Sequence, residues 1–517
     1  MVLLSRVALT ALLASLSVDT IDESKGVYNY TFPSDFKFGV ASAAYQIEGG
    51  WNEGGKGPSL WDVYVHDNPD YTPDRSTGDV AADSYHLYLE DVKIVKELGV
   101  QYYRLSLSWP RILPNGTDNY INEEGVKYYK RLFKALLLHN IEPVVTLFHW
   151  DLPQIFMEFG GFTNPFIVDY FEDYARVAFK LFGDDVKIWT TMNEPHMHCS
   201  AGYGGDYFAP ALNLHGVGEY LCTHYMLLAH AKAYHLYNKT FKPEQGGVIG
   251  ITLDAFWAEP RNASDREDRI ASERYMQMHM GMYAHPIYSD IGDYPPIVRE
   301  RIGNISKHQG YLKSRLPKFT TDEVESLRGS SDFFGLNHYT TYLMSPSSHE
   351  DGWVIPSLES DTGVKLEQNP NWPKPGSDWF SVYPPGFRKL LNWITRQYGS
   401  KHPIIITENG LCDFGGINDY ARVNYYNKYL YQLLLALHED KCNIQGYFAW
   451  TLMDDFEWKD GYTAKFGLYH VDFNSPKKTR RPKLSAKNYK EIVRTRRINF
   501  QYIKQNKYTK IHKPNNI

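Results

Sequence analysis

Eight short runs of apolar, β-branched and aromatic residues recur along the chain, most of them closing on a polar or aromatic side chain. They are FKFGVASAAYQ (36–46), YYRLSLSW (102–109), IEPVVTLFHW (141–150), VKIWTTMNE (186–194), VIGITLDAFW (248–257), FFGLNHYT (333–340), IIITENG (404–410) and IQGYFAW (444–450). Nearly continuous apolar runs, rather than alternating ones, are the pattern of strands buried on both faces of a parallel sheet.

Between many of these runs the apolar positions switch to a helical period. SYHLYLEDVKIVKELG ends on Gly99, suited to a left-handed C-cap, and PFIVDYFEDYARVAFKLFG runs from Pro165, suited to the first helical position, to Gly183. GVKYYKRLFKALLLHN, PGFRKLLNWITRQYG and YARVNYYNKYLYQLLLALHED read likewise. Strand followed by helix, repeated eight times with no low-complexity linker, predicts an α/β fold: a single (β/α)8 TIM barrel. The surplus length is expected in long βα loops around 197–218, 258–320 and 341–380.

Both ends of the chain stand apart from this pattern. Residues 1–18 combine Arg6, an apolar run and the small residues Ser15 and Ser17, which predicts a signal peptide. The barrel is then expected over 19–498, with 499–517 a lysine-dotted surface tail. A secreted or lumenal protein makes the sequons at Asn29, Asn115, Asn238, Asn262 and Asn304 candidate glycosylation sites. Cys199, Cys222, Cys412 and Cys442 permit three pairings that spacing does not separate, and they match no metal motif; neither metal nor cofactor is expected. No later run is long and apolar enough for a membrane span. With 55 Lys+Arg against 60 Asp+Glu there is no basic footprint for nucleic acid, so the expected partner is a small molecule. Aromatic residues reach 15%, which suits sugar faces as well as cores.

In such a barrel the C-terminal strand ends carry the chemistry. Here they hold Gln46, Arg104, His149, Trp150, Asn193, Glu194, Asn337, Tyr339, Glu408 and Trp450. A single polar residue at a strand end is usually a solvated loop start. Carboxylate, amide, imidazole and indole together at several ends point instead to one pocket.

The motifs FKFGVASAAYQIEG, YYRLSLSWPRILPNG, LFHWDLP, TMNEP, GLNHYT, ITENG and WTLMDDFEW resemble family 1 glycoside hydrolases, the β-glucosidase family, over nearly all of residues 30–498. The leader and sequons are similar to those of secreted animal members. The resemblance implies a retaining β-glycosidase acting on β-glucosides, with β-galactosides or β-fucosides as further substrates. It implies Glu194 as general acid and then base, and Glu408 as the nucleophile that forms a glycosyl-enzyme intermediate. That double displacement needs carboxyls about 5 to 5.5 Å apart. Two identical side chains must then hold different protonation states. Arg104 and Tyr339 would keep Glu408 ionised, while apolar surroundings and a neighbouring negative charge would keep the proton on Glu194. By the same resemblance Gln46, His149, Trp150, Asn193, Asn337, Tyr339, Glu457 and Trp458 contact the sugar, Trp450 stacks beneath it, and Trp379 stacks on the aglycone. A carboxylate at Glu457 suits neutral hydroxyls and would repel a 6-phosphate.

Two alternatives belong to other classes. A thioglucosidase of the myrosinase type would cleave glucosinolates on the same scaffold; a glutamine in place of Glu194 marks only its plant form. A non-catalytic carbohydrate-binding relative would be expected to lack one glutamate, and both are present.

Overall fold

The computed structural model describes residues 30–347 and 355–498. The predicted signal peptide (1–18), the tail (499–517) and Asn29 lie outside the described residues. All eight predicted strands form, as β1 (Lys37–Ala41), β2 (Tyr102–Ser106), β3 (Glu142–Phe148), β4 (Ile188–Asn193), β5 (Val248–Asp254), β6 (Phe334–Asn337), β7 (Ile404–Asn409) and β8 (Ile444–Trp450). Each pairs in parallel with its sequence neighbours, and β1 closes on β8 with Ala41 opposite Trp450, so the sheet is a closed eight-stranded barrel. Burial on both faces explains the sequence pattern: β4 and β7 are buried at every position.

Two irregularities in the ladder matter for the site. The β4–β5 register shifts between Thr190 and Asn193, and the β6–β7 register shifts between Ile406 and Glu408. A register slip re-aims the residues that follow it. Both glutamates sit just beyond one.

The outer helices include α1 (Ser84–Leu98), α2 (Glu123–Leu137), α3 (Ile167–Phe182), α4 (Gly218–Leu236), α5 (Pro384–Tyr398) and α6 (Tyr420–His438). Helix α2 shows the local logic: Glu123 and Glu124 meet the positive N-terminal end, Lys134 lies in the last turn, and Val126, Tyr129, Phe133 and Leu136 form the buried face. Gly99 closes α1 at φ 76°, as its sequence predicts. Two expectations differ. Helix α3 starts at Ile167, so Pro165 precedes it rather than occupying its first turn, and Gly183 ends it in a right-handed conformation.

The long loops are more ordered than a loop reading implies. The 258–320 region carries helices at Arg266–Met276, Met282–Tyr288 and Pro296–His308, and a three-stranded sheet joins Trp257–Pro260, Thr341–Pro346 and Val364–Glu367. The loop after β4 is tied to α4 by a Cys199–Cys222 disulfide across a sequence separation of 23. Closing a loop of that size stabilises the fold by about 3 kcal/mol on the chain-entropy account. Cys412 and Cys442 remain free and buried. No helix among the described residues is long and apolar enough to cross a membrane.

Candidate active site

The strand ends converge on a pocket of about 270 Å³. His149, Trp150, Asn193, Glu194, Asn337, Tyr339, Trp379, Glu408, Trp450, Glu457 and Trp458 line it, all of them residues singled out by sequence. Gln46 and Arg104 are held against this lining by hydrogen bonds. Gln46 Nε2 donates to Phe456 O at 3.0 Å and to Glu457 Oε2 at 3.3 Å.

The two glutamates differ in what grips them. Glu408 Oε1 accepts from Arg104 Nη1 at 2.5 Å, and Oε2 accepts from the Tyr339 hydroxyl at 2.7 Å. Glu194 Oε1 accepts from the neutral amide Asn337 Nδ2 at 2.6 Å. A short bridge connects them: Asn337 Nδ2 and Arg104 Nη2 both donate to Asn193 Oδ1, at 3.1 and 2.6 Å. Thr407 Oγ1 donates to Asn337 Oδ1 at 2.7 Å and fixes which way that amide faces. Every link ends on a side chain from a different strand end, so the barrel itself sets the spacing.

Charge separates the pair further. Burial pushes the Glu194 carboxyl well above the usual carboxylate range, and the charges of Asp254 and Glu408 push it further, against the Asn337 hydrogen bond and the Arg104 charge. Burial also raises Glu408, a contribution the sequence does not reveal, but the Arg104 charge and the hydrogen bonds from Arg104, Tyr339 and Asn337 oppose it. Glu408 therefore ionises first. Once it has, its charge holds the proton on Glu194.

Backbone strain accompanies the arrangement. Glu194 has φ 46° and ψ 62°, immediately before the short helix Pro195–Met197, while Trp150 and Trp458 have φ of 74° and 46°. A non-glycine residue in this left-handed region costs roughly 1 to 2 kcal/mol and persists where surrounding packing dictates it. Trp150 is so dictated: its Nε1 donates to Asn193 O at 2.9 Å, and its ring lies 4.7 Å from that of Trp458. His149 stacks against Trp450 and Trp458 at 5.9 and 6.0 Å, and its Nε2 lies 3.1 Å from Asn193 Nδ2. Burial, then the Arg104 charge, drives the His149 pKa well below its ordinary value, so the ring is neutral and Nε2 accepts from the amide.

Sequence reasoning missed the rest of the lining: Met197, Tyr207, Phe208, Phe256, Tyr342, Lys459, Asp460 and Phe466 among others. Most come from βα loops, where no periodicity announces a pocket. Asp254 was also missed, although it closes β5 and the strand-end rule applies to it. Trp379 stands at this loop-built end, 6.4 Å from Phe256 and 6.3 Å from Tyr339, and its carbonyl accepts from the Tyr342 hydroxyl.

The chain matches the family model described as glycosyl hydrolase family 1 over residues 28–498. It is 44% identical to Myrosinase 1 of Brevicoryne brassicae over 468 residues, 90% of this chain and 99% of that protein. It is 41% identical to the cytosolic beta-glucosidase of Cavia porcellus, over 90% of this chain and 98% of that one. The solved structure of an aphid myrosinase superposes with a TM-score of 0.86 at 44% identity, covering 90% of this chain and 99% of the other. Two glutamates at the ends of β4 and β7 of one closed barrel, and a match spanning the described residues, lead to one conclusion: the chain belongs to glycosyl hydrolase family 1.

Proposed function

We propose that this enzyme is a retaining β-glycosidase of neutral, gluco-configured sugars, with Glu408 as nucleophile and Glu194 as acid and then base. The observation that carries the reading is the unequal treatment of the two carboxyls. Glu408 is fixed by a cation and a phenol, whereas Glu194 is buried against a neutral amide and a second carboxylate.

The steps follow from that asymmetry. Glu194 delivers its proton to the leaving oxygen while Glu408 attacks the anomeric carbon, breaking the glycosidic bond and forming a glycosyl ester. Ester formation removes the charge on Glu408, which lowers the proton affinity of Glu194 and lets the now ionised group take a proton from water. Water attacks, Glu408 leaves as carboxylate, and two inversions restore the β configuration. Asn193, already an acceptor from Arg104 and a donor to His149, has no free choice of orientation and presents a fixed amide to the sugar. Gln46, Asn193, His149 and Glu457 hold the hydroxyls, Trp450 and Trp458 face the ring, and Trp379 meets the aglycone.

A thioglucosidase reading has one observation in its favour, the 44% identity to Myrosinase 1. Against it, Lys459 is the one lysine or arginine among the described residues that line the pocket, and Asp254, Glu457 and Asp460 share that lining. A single lysine is the cation that this lining offers an anionic sulfate. Turnover of an aryl β-glucoside and of a glucosinolate, each with Glu408→Gln as control, tests both readings. O-glucoside turnover lost in the variant is expected, glucosinolate turnover alone favours the thioglucosidase, and no turnover of either favours a binding protein.

We further propose passage through the secretory pathway. Asn115, Asn238, Asn262 and Asn304 are all exposed, and a disulfide suits an oxidising compartment. A shift in electrophoretic mobility on deglycosylation of the protein from its native host is the expected result.

A further inference from the structure

Beside the β4 end runs a chain of three polar side chains, Asp254 and two histidines that no step above uses. Asp254 Oδ2 lies 2.8 Å from His196 Nδ1, and His196 Nε2 lies 2.8 Å from His279 Nδ1. His279 is stacked on Tyr275 at 3.9 Å. Burial, and then the nearby His196, drives the His279 pKa well below its ordinary value, so its ring is neutral. At the other end of the chain, His196 Nδ1 faces a carboxyl oxygen, so the proton between them belongs to the imidazole N–H, which donates. The chain therefore ends by donating to the Asp254 carboxyl group.

Asp254 is also close to the chemistry. It lines the main pocket together with Glu194, and it lines a separate void of about 10 Å³ with His196, Tyr275 and His279. Its Oδ1 is buried and accepts no hydrogen bond from the described residues. In the barrel register Asp254 stands opposite Asn337, the residue that donates to Glu194, and the Glu194 backbone N–H bonds Thr252 O on the same strand as Asp254. Around Glu194 the charged and titratable groups are Asp254 from β5, Glu408 from β7, Arg104 from β2, Tyr339 after β6 and its neighbour in sequence, His196. Among the charges, Asp254 acts on Glu194 most strongly, ahead of Glu408.

We propose that Asp254, oriented by the His196–His279 pair, is a positioning residue for the acid/base step: a second carboxyl group beside Glu194 that supports its basicity after Glu408 has been consumed as an ester. The inference rests on Glu194 being the acid/base. Glu408 helps hold the proton on Glu194 only in the free enzyme, because its charge disappears in the intermediate. Asp254 acts in both half-reactions, making Glu194 a weaker acid in the first and a stronger base in the second.

The test is the pH dependence of kcat/KM and kcat for an aryl β-glucoside in the full chain, its Asp254→Asn, His279→Gln and Glu194→Gln variants, each checked for a native unfolding transition. Removing a neighbouring like charge displaces a titration by about one pH unit. In Asp254→Asn the alkaline limb of kcat/KM is expected to move down by about that much, with kcat falling more than kcat/KM measured at the acid side. His279→Gln should move the limb the same way by less. An unmoved alkaline limb in folded Asp254→Asn overturns the proposal, and if that variant does not fold, an unmoved limb in folded His279→Gln does so. Loss of the limb in Glu194→Gln beside an unmoved limb in Asp254→Asn sinks this inference alone. Persistence of the limb in Glu194→Gln sinks the acid/base assignment on which it stands.

Discussion

The ends of β4 and β7 present the same residue, at similar depth, just past the same kind of register slip, and the chain treats them oppositely. At β7, Glu408 meets a guanidinium and a phenol. At β4, Glu194 meets a carboxamide and the charge of Asp254. Burial raises both groups, so burial alone would make them alike. The difference comes from the partners, and it makes one carboxyl an anion and the other an acid. A retaining site thus needs no special residue type, only unequal neighbours.

The comparison breaks most completely at Glu408. Glu408→Gln keeps the shape but offers no nucleophile, and turnover should fall about 10⁴-fold or more with the unfolding temperature little changed, measured by steady-state kinetics beside thermal melts. Glu194→Gln should cost about 10² to 10⁴-fold on alkyl glucosides, whose leaving groups need a proton, and much less in the glycosylation of nitrophenyl glucosides. Comparing single-turnover rates across leaving groups reads that selectivity.

Arg104→Lys probes the β7 side more gently. An ammonium cannot reach Glu408 and Asn193 with the fork that Arg104 uses, so kcat/KM should fall about 10² to 10³-fold. Tyr339→Phe, which removes a single donor to Glu408, should cost about tenfold. The sign of the accompanying pH shift is fixed: activity needs Glu408 ionised, each lost donor disfavours that form, and the acid limb of kcat/KM moves up. An acid limb that stays put in both folded variants would separate Glu408 from that limb.

How much of this was legible depended on what each residue must do. All eight barrel strands were readable because burial on both faces leaves continuous apolar runs, and Gly99 was readable because few other residues tolerate its φ. Helix α4 was not. It buries Thr223, His224 and His230 along with Met226 and Leu227, so no polar stripe marks its solvent side. The loop wall of the pocket was hidden for a related reason, since Tyr207 and Phe208 arrive through an irregular segment whose sequence carries no period, and Tyr342 through the short strand Thr341–Pro346 within the loop after β6. The two glutamates were legible from strand ends and motifs. Their unequal environments were legible only in part: Arg104 and Tyr339 stand at strand ends, but Asp254 acquires its meaning only when β5 is set beside β4.

The central claim, that Glu408 attacks and Glu194 only moves protons, is tested most directly in Glu194→Ala with azide as the external nucleophile. Without its base the glycosyl ester should accumulate and give a pre-steady-state burst, and azide, which needs no deprotonation, should restore turnover from the space the side chain vacates. NMR of the product should show a β-glycosyl azide, because a second inversion follows the one made by Glu408. An α-glycosyl azide from this variant would mean a single displacement and would contradict the assignment of Glu408 as the nucleophile.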